Sequence, residues 1–337
     1  MQTALRPLSL GEILDRTAEI YRKNFILLAG ISSFYSGILL VLGLVQVVVQ
    51  HEFSSVHMNV GLIVAAVIGI LVLVLVGLVC GGMAVAANTR AVGWLHLGEP
   101  ASIGAAYRAV LPRTGRYVWL LTIIYFLAWF PCVLVYAAYA VLVLHYMRSM
   151  GLMDPHPAHA MDPRSAMIIL GGSVAFVLLL LIFAIYGIIM SLRYSLAVPA
   201  CTVENLRARP AIKRSIQLSK GSRGRVFVLG LLVIVIQFGL AGLTQGFFVI
   251  AGIRHHGILP LWMSVTQQFL AFLTNTFVGP IYATGFTLFY FDQRVRKEGF
   301  DIEHMMQGAG MNGLAPALSD SPTLEPYAAI EPGSVHE

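Results

Sequence analysis

Long apolar runs alternate along this chain with short, strongly basic segments, and the runs set its architecture. Six of them, at about 25–49, 60–87, 117–145, 166–192, 226–253 and 260–291, contain no Asp, Glu, Lys or Arg. Each reaches the roughly 20 residues that a helix needs to cross the hydrocarbon core of a bilayer, and the longer ones are expected to tilt. The pattern predicts an all-α, polytopic membrane bundle of six transmembrane helices. Pro131 is expected to kink the third span, and Gly279 with Pro280 to bend or break the sixth, because a proline ring removes one backbone hydrogen bond. Small residues four apart recur at Ala29, Ser33 and Gly37, at Gly77 and Gly81, and at Gly242 and Gly246, a spacing that permits close helix approach.

Between the runs lie shorter amphipathic stretches. Ser9 and Glu12 form an S-x-x-E capping box ahead of Leu10, Ile13, Leu14, Thr17, Ile20 and Tyr21, which recur at helical spacing. Residues 1–24 therefore read as an amphipathic segment that lies on the membrane or on its own bundle rather than crossing. Ser102 is a candidate cap for a second short helix through Ile103, Ala106, Tyr107, Val110 and Leu111. A third starts near Pro210, which suits a first helical position, and carries Ile212, Ile216 and Ser219 on one side. A short amphipathic segment ending in a basic cluster precedes a pair of spans three times, at residues 22–25, 113–118 and 222–227. This order predicts a threefold helix–span–span repeat, whether from duplication or from the common need for basic membrane edges.

Charge gives the bundle a direction. The stretch from Arg193 to Arg225 holds eight of the 22 Lys and Arg residues, and the segments on its side of the predicted membrane hold 19 of the 22. Lys and Arg are retained on the cytoplasmic side of membrane spans, so both termini are expected in the cytoplasm. Residues 25–291 form the membrane domain, and 292–337 form a cytoplasmic tail whose Pro-, Ala-, Gly- and Ser-rich part from about 308 is expected to be disordered.

Composition narrows the function classes. Apolar residues make up 58% of the 337-residue chain and charged residues 11%, which leaves no room for a separate soluble enzyme domain. A net charge of +6 would ordinarily raise nucleic acid as a partner, but the cations sit at span edges, so anionic lipid head groups are the expected counter-charge and nucleic acid is not. Lys213, Arg214, Lys220 and Arg223 are the candidate lipid contacts. Cys80, Cys132 and Cys201 show no CxxC spacing and read as packing residues. His51, His57, His156, His159, His255 and His256 gather with Asp154 and Asp162 in outer connections, yet at no recognised metal spacing, so no metal and no cofactor is expected. G-x-x-x-x-G-K-[ST], H-E-x-x-H and G-x-S-x-G are all missing, as is any Asp, Glu, Lys or Arg inside a span, so neither a catalytic motif nor a transporter's usual proton relay is legible.

Two stripes are candidates for an internal surface. Tyr125, Trp129, Cys132, Tyr136 and Tyr139 follow a 4-3-4-3 spacing on the third span; packing on a neighbouring helix is the plainer reading, and a cavity for an amphiphile the other. Gln268, Asn275 and Tyr282 recur every seven residues on the sixth span and are expected to face the bundle interior, because polar groups in hydrocarbon need partners. On that reading Leu288 faces lipid. Glu204 and Asp292, at span ends among arginines, are expected to pair with Arg193, Arg207 or Arg294 and hold loops to the bundle.

Three landmarks in order resemble one known family: the opening LRPLSLGEILDRTAEIYRKNF, the middle RYSLAVPACTVENLRARPAIKRSIQLSKG and the exit YFDQRVRKEGFDIE. Together they are similar to the membrane domain attached to some bacterial glycerophosphoryl diester phosphodiesterases, and to its free-standing relatives. The resemblance implies a multi-span helical domain of unestablished biochemical role. It does not imply phosphodiesterase activity, which in such proteins belongs to a soluble barrel whose His-Arg-Gly opening and metal-binding carboxylates this sequence lacks. The expected function is a non-catalytic membrane domain that associates with lipids or with another membrane protein. The alternative is a transporter or lipid-handling protein with a cavity between the third and sixth spans.

Overall fold

The computed structural model describes residues 6–53, 60–149, 163–254 and 259–308, and these are helical with no strand among them. Eleven α-helices follow one another: α1 (Leu10–Lys23), α2 (Phe25–Phe53), α3 (Val60–His96), α4 (Ile103–Val110), α5 (Thr114–Ser149), α6 (Pro163–Tyr194), α7 (Ala197–Val203), α8 (Ala208–Ser219), α9 (Arg223–Arg254), α10 (Leu261–Glu298) and α11 (Phe300–Gly308). Six of them, α2, α3, α5, α6, α9 and α10, contain stretches long and apolar enough to cross a membrane. A short helix followed by two long ones occurs three times, as α1–α2–α3, α4–α5–α6 and α8–α9–α10, with α7 inserted before the last.

Local chemistry explains where the short helices start. The Ser9 hydroxyl accepts from the Glu12 N–H at 3.2 Å while the Glu12 carboxylate accepts from the Ser9 N–H at 2.7 Å, so the reciprocal capping box is formed. Ile13, Thr17 and Ile20 turn one face of α1 into the core. Ser102 caps α4 by accepting from the Ala105 N–H. In α8 the helix begins at Ala208, so Pro210 stands third rather than first, still within the first turn where its missing N–H costs nothing. The buried face of α8 is Ala208, Ala211, Ser215, Leu218 and Ser219, with Ile212 and Ile216 only half-buried beside it. The sequence pattern missed α7 because its small residues carry no periodic signal; five of its seven residues are buried.

The core sits at one end. The main cluster of buried side chains joins Ile13 and Ile20 of α1, Leu28 and Ile31 of α2, Ala87 and Val92 of α3, Ala106 and Val110 of α4, and Leu196 to Cys201 around α7, with α8, α9 and α10. These residues all lie at the basic ends of the long helices. Here α10 is the axial element: every residue from 283 to 293 is buried, because α1, α2, α3, α8 and α9 surround it. Toward the opposite end the helices expose apolar faces, such as Val133, Leu134 and Val141 on α5, Leu178 to Ile182 on α6, and Leu243 and Phe247 on α9. A small cluster of Phe248, Ala251 and Met263 closes the α9–α10 pair at that end. Lipid acyl chains are as apolar as a protein core, so such faces are satisfied in a bilayer without protein neighbours.

The longest helix is not broken at Gly279 and Pro280. It continues through Pro280 as one helix, with Thr284 donating to the Pro280 carbonyl at 2.8 Å. It also runs past residue 291 to Glu298, so the tail boundary drawn there falls inside the buried end of α10. Gly299, at φ 64°, ends it in the left-handed conformation that favours glycine.

Candidate functional site

The basic end is where polar groups collect, and two carboxylates organise it. Asp292, fully buried, accepts from Arg225 Nη1 at 3.1 Å, Arg296 Nε at 2.9 Å, Gln293 Nε2 at 3.0 Å and the backbone N–H of Leu8 at 2.8 Å. Glu204, just after α7, accepts from Arg214 Nε at 2.9 and 3.0 Å and from the Tyr290 hydroxyl, and pairs with Arg294 at 3.8 Å. The expected Arg294 partner is therefore present for Glu204, whereas Arg193 and Arg207 are partners of neither acid among the described residues. Lys297 donates from Nζ to the carbonyls of Gln217, Leu218 and Lys220, which satisfies the exposed end of α8. Arg116 does the same for the turn at Asn205 and Leu206.

Of the candidate lipid contacts, the structure separates Arg214 from the other three. Its guanidinium lies between Glu204 and Glu298, 2.6 Å from the latter, and is turned inward. Burial works against the Arg214 cation, but the hydrogen bonds it donates to Glu298 and Glu204 outweigh it and raise its pKa. Lys213, Lys220 and Arg223 are exposed, as is Arg209, and none of these four is in an ion pair among the described residues. Arg209, Lys213 and Lys220 fall on the outward side of α8, opposite its buried face.

The two membrane stripes do not pack along their length, although Tyr125 of α5 and Tyr282 of α10 lie within electrostatic range of each other. The α5 and α10 helices make no extended contact; α5 packs on α6 and α3, and α10 on α2, α9 and α3. The aromatic stripe divides. Trp129 rests on Gly187 of α6, and Tyr139 stacks on Phe176 at 4.2 Å with its hydroxyl 2.8 Å from the Ser173 oxygen, so these two serve packing. Tyr125 and Tyr136 are exposed, and Cys132 is half-buried.

On α10, Gln268 packs against Gly43 of α2, but Asn275 is exposed and Tyr282 is 40% exposed, its ring against Phe286 at 4.4 Å. The inward expectation for Asn275 is thus overturned. A seven-residue spacing drifts about 20° per repeat around a straight helix, and α10 keeps its protein contacts through α2 and α9 on other faces. Leu288 is corrected too: it is 0% exposed, since the basic-end helices enclose α10 on all sides. An amide is buried instead on α3 beside the basic-end core, where Asn88 Nδ2 donates to Ser32 Oγ at 3.0 Å and to the Ala84 carbonyl.

The small-residue spacings are used selectively. A Cβ on Gly187 would meet the Ala128 carbonyl oxygen at 2.9 Å, and Gly81 sits against the Tyr35 ring, whereas Gly37, Gly77, Gly242 and Gly246 face open space. Among the described residues no group of three or more His, Cys, Asp or Glu is arranged to hold a metal ion. His57, Asp154, His156, His159, Asp162, His255 and His256 lie outside the described residues, as does the tail beyond Gly308.

Two cavities open at the basic end. One, of about 280 Å³, lies between α1 and the end of α10, where Glu12 and Glu19 are already paired with Arg6 and Arg16. The other, of about 340 Å³, is bounded by α3, α4, the turn after it and α7, and three arginines line it. In the sequence those arginines are legible only as membrane-edge charge; the available signal is a connection with several arginines and Glu99 as its only acid.

Six membrane-crossing helices consolidated at a basic end define a multi-pass membrane protein. Comparison with protein families, with curated proteins and with solved structures finds no match to the chain.

Proposed function

We propose that this chain is a non-catalytic membrane domain whose basic end docks on the anionic head groups of the cytoplasmic leaflet, with both termini on that side of a bacterial inner membrane. The observation that carries the reading is the contrast on α8: Arg214 is neutralised inward, while Arg209, Lys213 and Lys220, followed by Arg223, point outward with no acidic partner among the described residues. Arg223 also begins α9, whose first turn holds no acidic residue, whereas Arg225 beside it is already paired with Asp292. A cation there opposes the helix dipole, and lipid phosphate at Arg223 offsets the conflict. The role goes with the resemblance of the three sequence landmarks to the membrane domain attached to glycerophosphoryl diester phosphodiesterases, without that family's catalytic barrel.

The test replaces Arg209, Lys213, Lys220 and Arg223 together by Gln. Each surface cation contributes roughly 1 kcal/mol of attraction to an anionic leaflet, so the variant is expected to lose most retained phosphatidylglycerol in native mass spectrometry. Equal retention by variant and parent rejects the reading.

A second reading, association with another membrane protein or an amphiphile along α10, has its own observation. Asn275 is exposed within a long apolar helix, and an amide in hydrocarbon without a partner costs several kcal/mol. Asn275→Leu is then expected to leave the isolated chain at least as stable and to abolish a co-purifying partner or ligand. Reduced stability of the isolated variant, with no partner in the parent, rejects it.

A further inference from the structure

The cavity bounded by α3, α4 and α7 differs in chemistry from the rest of the basic end. Elsewhere at this end several arginines meet a carboxylate: Arg214 has Glu204 and Glu298, and Arg225 and Arg296 have Asp292, while Arg116 donates to oxygens of Asn205 and Leu206 and Arg193 keeps a buried Nε without a hydrogen-bond partner. Here Arg90, Arg108 and Arg113 line one space of about 340 Å³ with Pro112, Tyr117 and Thr202, and no acidic residue lines it. Among the described residues none of the three arginines is in an ion pair.

Each arginine is positioned by its own element. Arg90 lies on α3 just beyond the apolar span. Its Nη1 donates to the Thr202 carbonyl at 3.1 Å and its guanidinium lies over Trp94 at 5.2 Å, while its Nε is buried without a partner. A buried donor of that kind is costly unless something accepts from it. Arg108 stands in the last turn of α4, and α4 is fastened to α2 by the Tyr107 hydroxyl on the Ile31 carbonyl at 2.7 Å. Arg113 ends the 3-10 turn Leu111–Arg113, which Pro112 stiffens. Three cations lining one open space repel one another, and the repulsion is relieved by an anion with several acceptor oxygens. Guanidinium forks match the oxygens of phosphate in pairs.

We infer that Arg90, Arg108 and Arg113 form a phosphate-binding site at the basic membrane edge, which takes either the phosphate of a lipid head group or a free phosphate. The site is built from α3, α4, the turn before α5 and α7, and shares no residue with the outward face of α8. It therefore stands or falls separately from the proposed leaflet docking.

The experiment uses the full chain and the double variant Arg108→Gln with Arg113→Gln, both exposed positions without partners, checked for an unchanged melting temperature. In neutral detergent, phosphorus NMR and calorimetry measure binding of inorganic phosphate. In nanodiscs of phosphatidylcholine with phosphatidic acid, native mass spectrometry measures lipid retention. Binding of inorganic phosphate that weakens at least about tenfold in the double variant supports the site with a free phosphate as ligand. Phosphatidic acid retention lost in the double variant, without binding of inorganic phosphate, supports it with a lipid head group. Retention that survives the double variant and disappears only when Arg209, Lys213, Lys220 and Arg223 are replaced overturns it, as does binding of neither ligand.

Discussion

The backbone N–H of Leu8 donates to Oδ1 of Asp292 at 2.8 Å, joining residues 284 apart in the chain. The Leu8 carbonyl in turn accepts from Arg225 Nη2 at 2.8 Å and Arg296 Nη2 at 2.6 Å, the two arginines that also pair with Asp292. One buried carboxylate thus ties the entry to α1, the start of α9 and the end of α10. The Asp292 side chain itself is fully buried, and its removal leaves two cations, the Gln293 amide and the Leu8 N–H without their common acceptor.

Asp292→Ala is accordingly predicted to destabilise the basic end by roughly 3 kcal/mol, the range for breaking an ion pair with a buried member. Thermal unfolding in detergent reads the loss directly. A melting temperature equal to that of the parent would falsify the assignment of Asp292 as the central tie.

Arg214→Gln and Lys213→Gln, adjacent in sequence, are predicted to act on different observables. The first removes the hydrogen bonds to Glu204 and Glu298 and lowers stability by about 2 kcal/mol; the second leaves the melting temperature unchanged and weakens anionic lipid retention. Identical behaviour of the two variants in both assays is the contrary result.

Gly187→Val is predicted to disrupt the α5–α6 pair, since its Cβ meets the Ala128 carbonyl oxygen at 2.9 Å and backbone cannot move aside cheaply. Overpacking of this kind costs roughly 1–3 kcal/mol. Gly242→Ala, in open space, is the control and should melt as the parent does.

Glu19 supplies a pH dependence. Hydrogen bonds from Lys23, then Arg16, hold its carboxyl at about 2 against an ordinary 4.5. Because the folded value is depressed, its contribution is complete above about 4.5 and is lost as pH falls toward about 2. The melting difference between parent and Glu19→Gln should therefore be small, present near neutral pH, and shrink through that window. A difference that grows on acidification contradicts the sign.

Reporter fusions after Asn59, Pro157 and Gly257 are predicted to report from outside the cell, and fusions after Gly98, Ser219 and Gly299 from the cytoplasm. A cytoplasmic signal from Pro157 breaks the proposed orientation.

Much of the fold was legible because its determinants are local. The Ser9–Glu12 box, the Ser102 cap and six spans free of charge are properties of neighbouring residues, and α1, α4 and the long helices follow them. Helices α7 and α11 were not legible: α7 is held by burial of small residues rather than by any periodic pattern, and α11 lies in what read as the irregular start of the tail. The clustering of Lys and Arg at alternate connections likewise pointed to a basic end before any coordinates.

Tertiary structure alone decided which side each residue faces. Lipid and protein interior are both apolar, so hydropathy does not distinguish Leu288, enclosed by the basic-end helices, from Leu243, which faces outward. The same ambiguity turned Asn275 outward against its expected role. Charge count could not separate Arg214 from Lys213 either, because neutralisation depends on Glu204 and Glu298, brought from α7 and α10 across the bundle. The cavity of Arg90, Arg108 and Arg113 has the same origin. Three residues on different elements become one site only when α4 docks on α2 and α3 and α7 closes beside them, a proximity that no spacing in the sequence encodes.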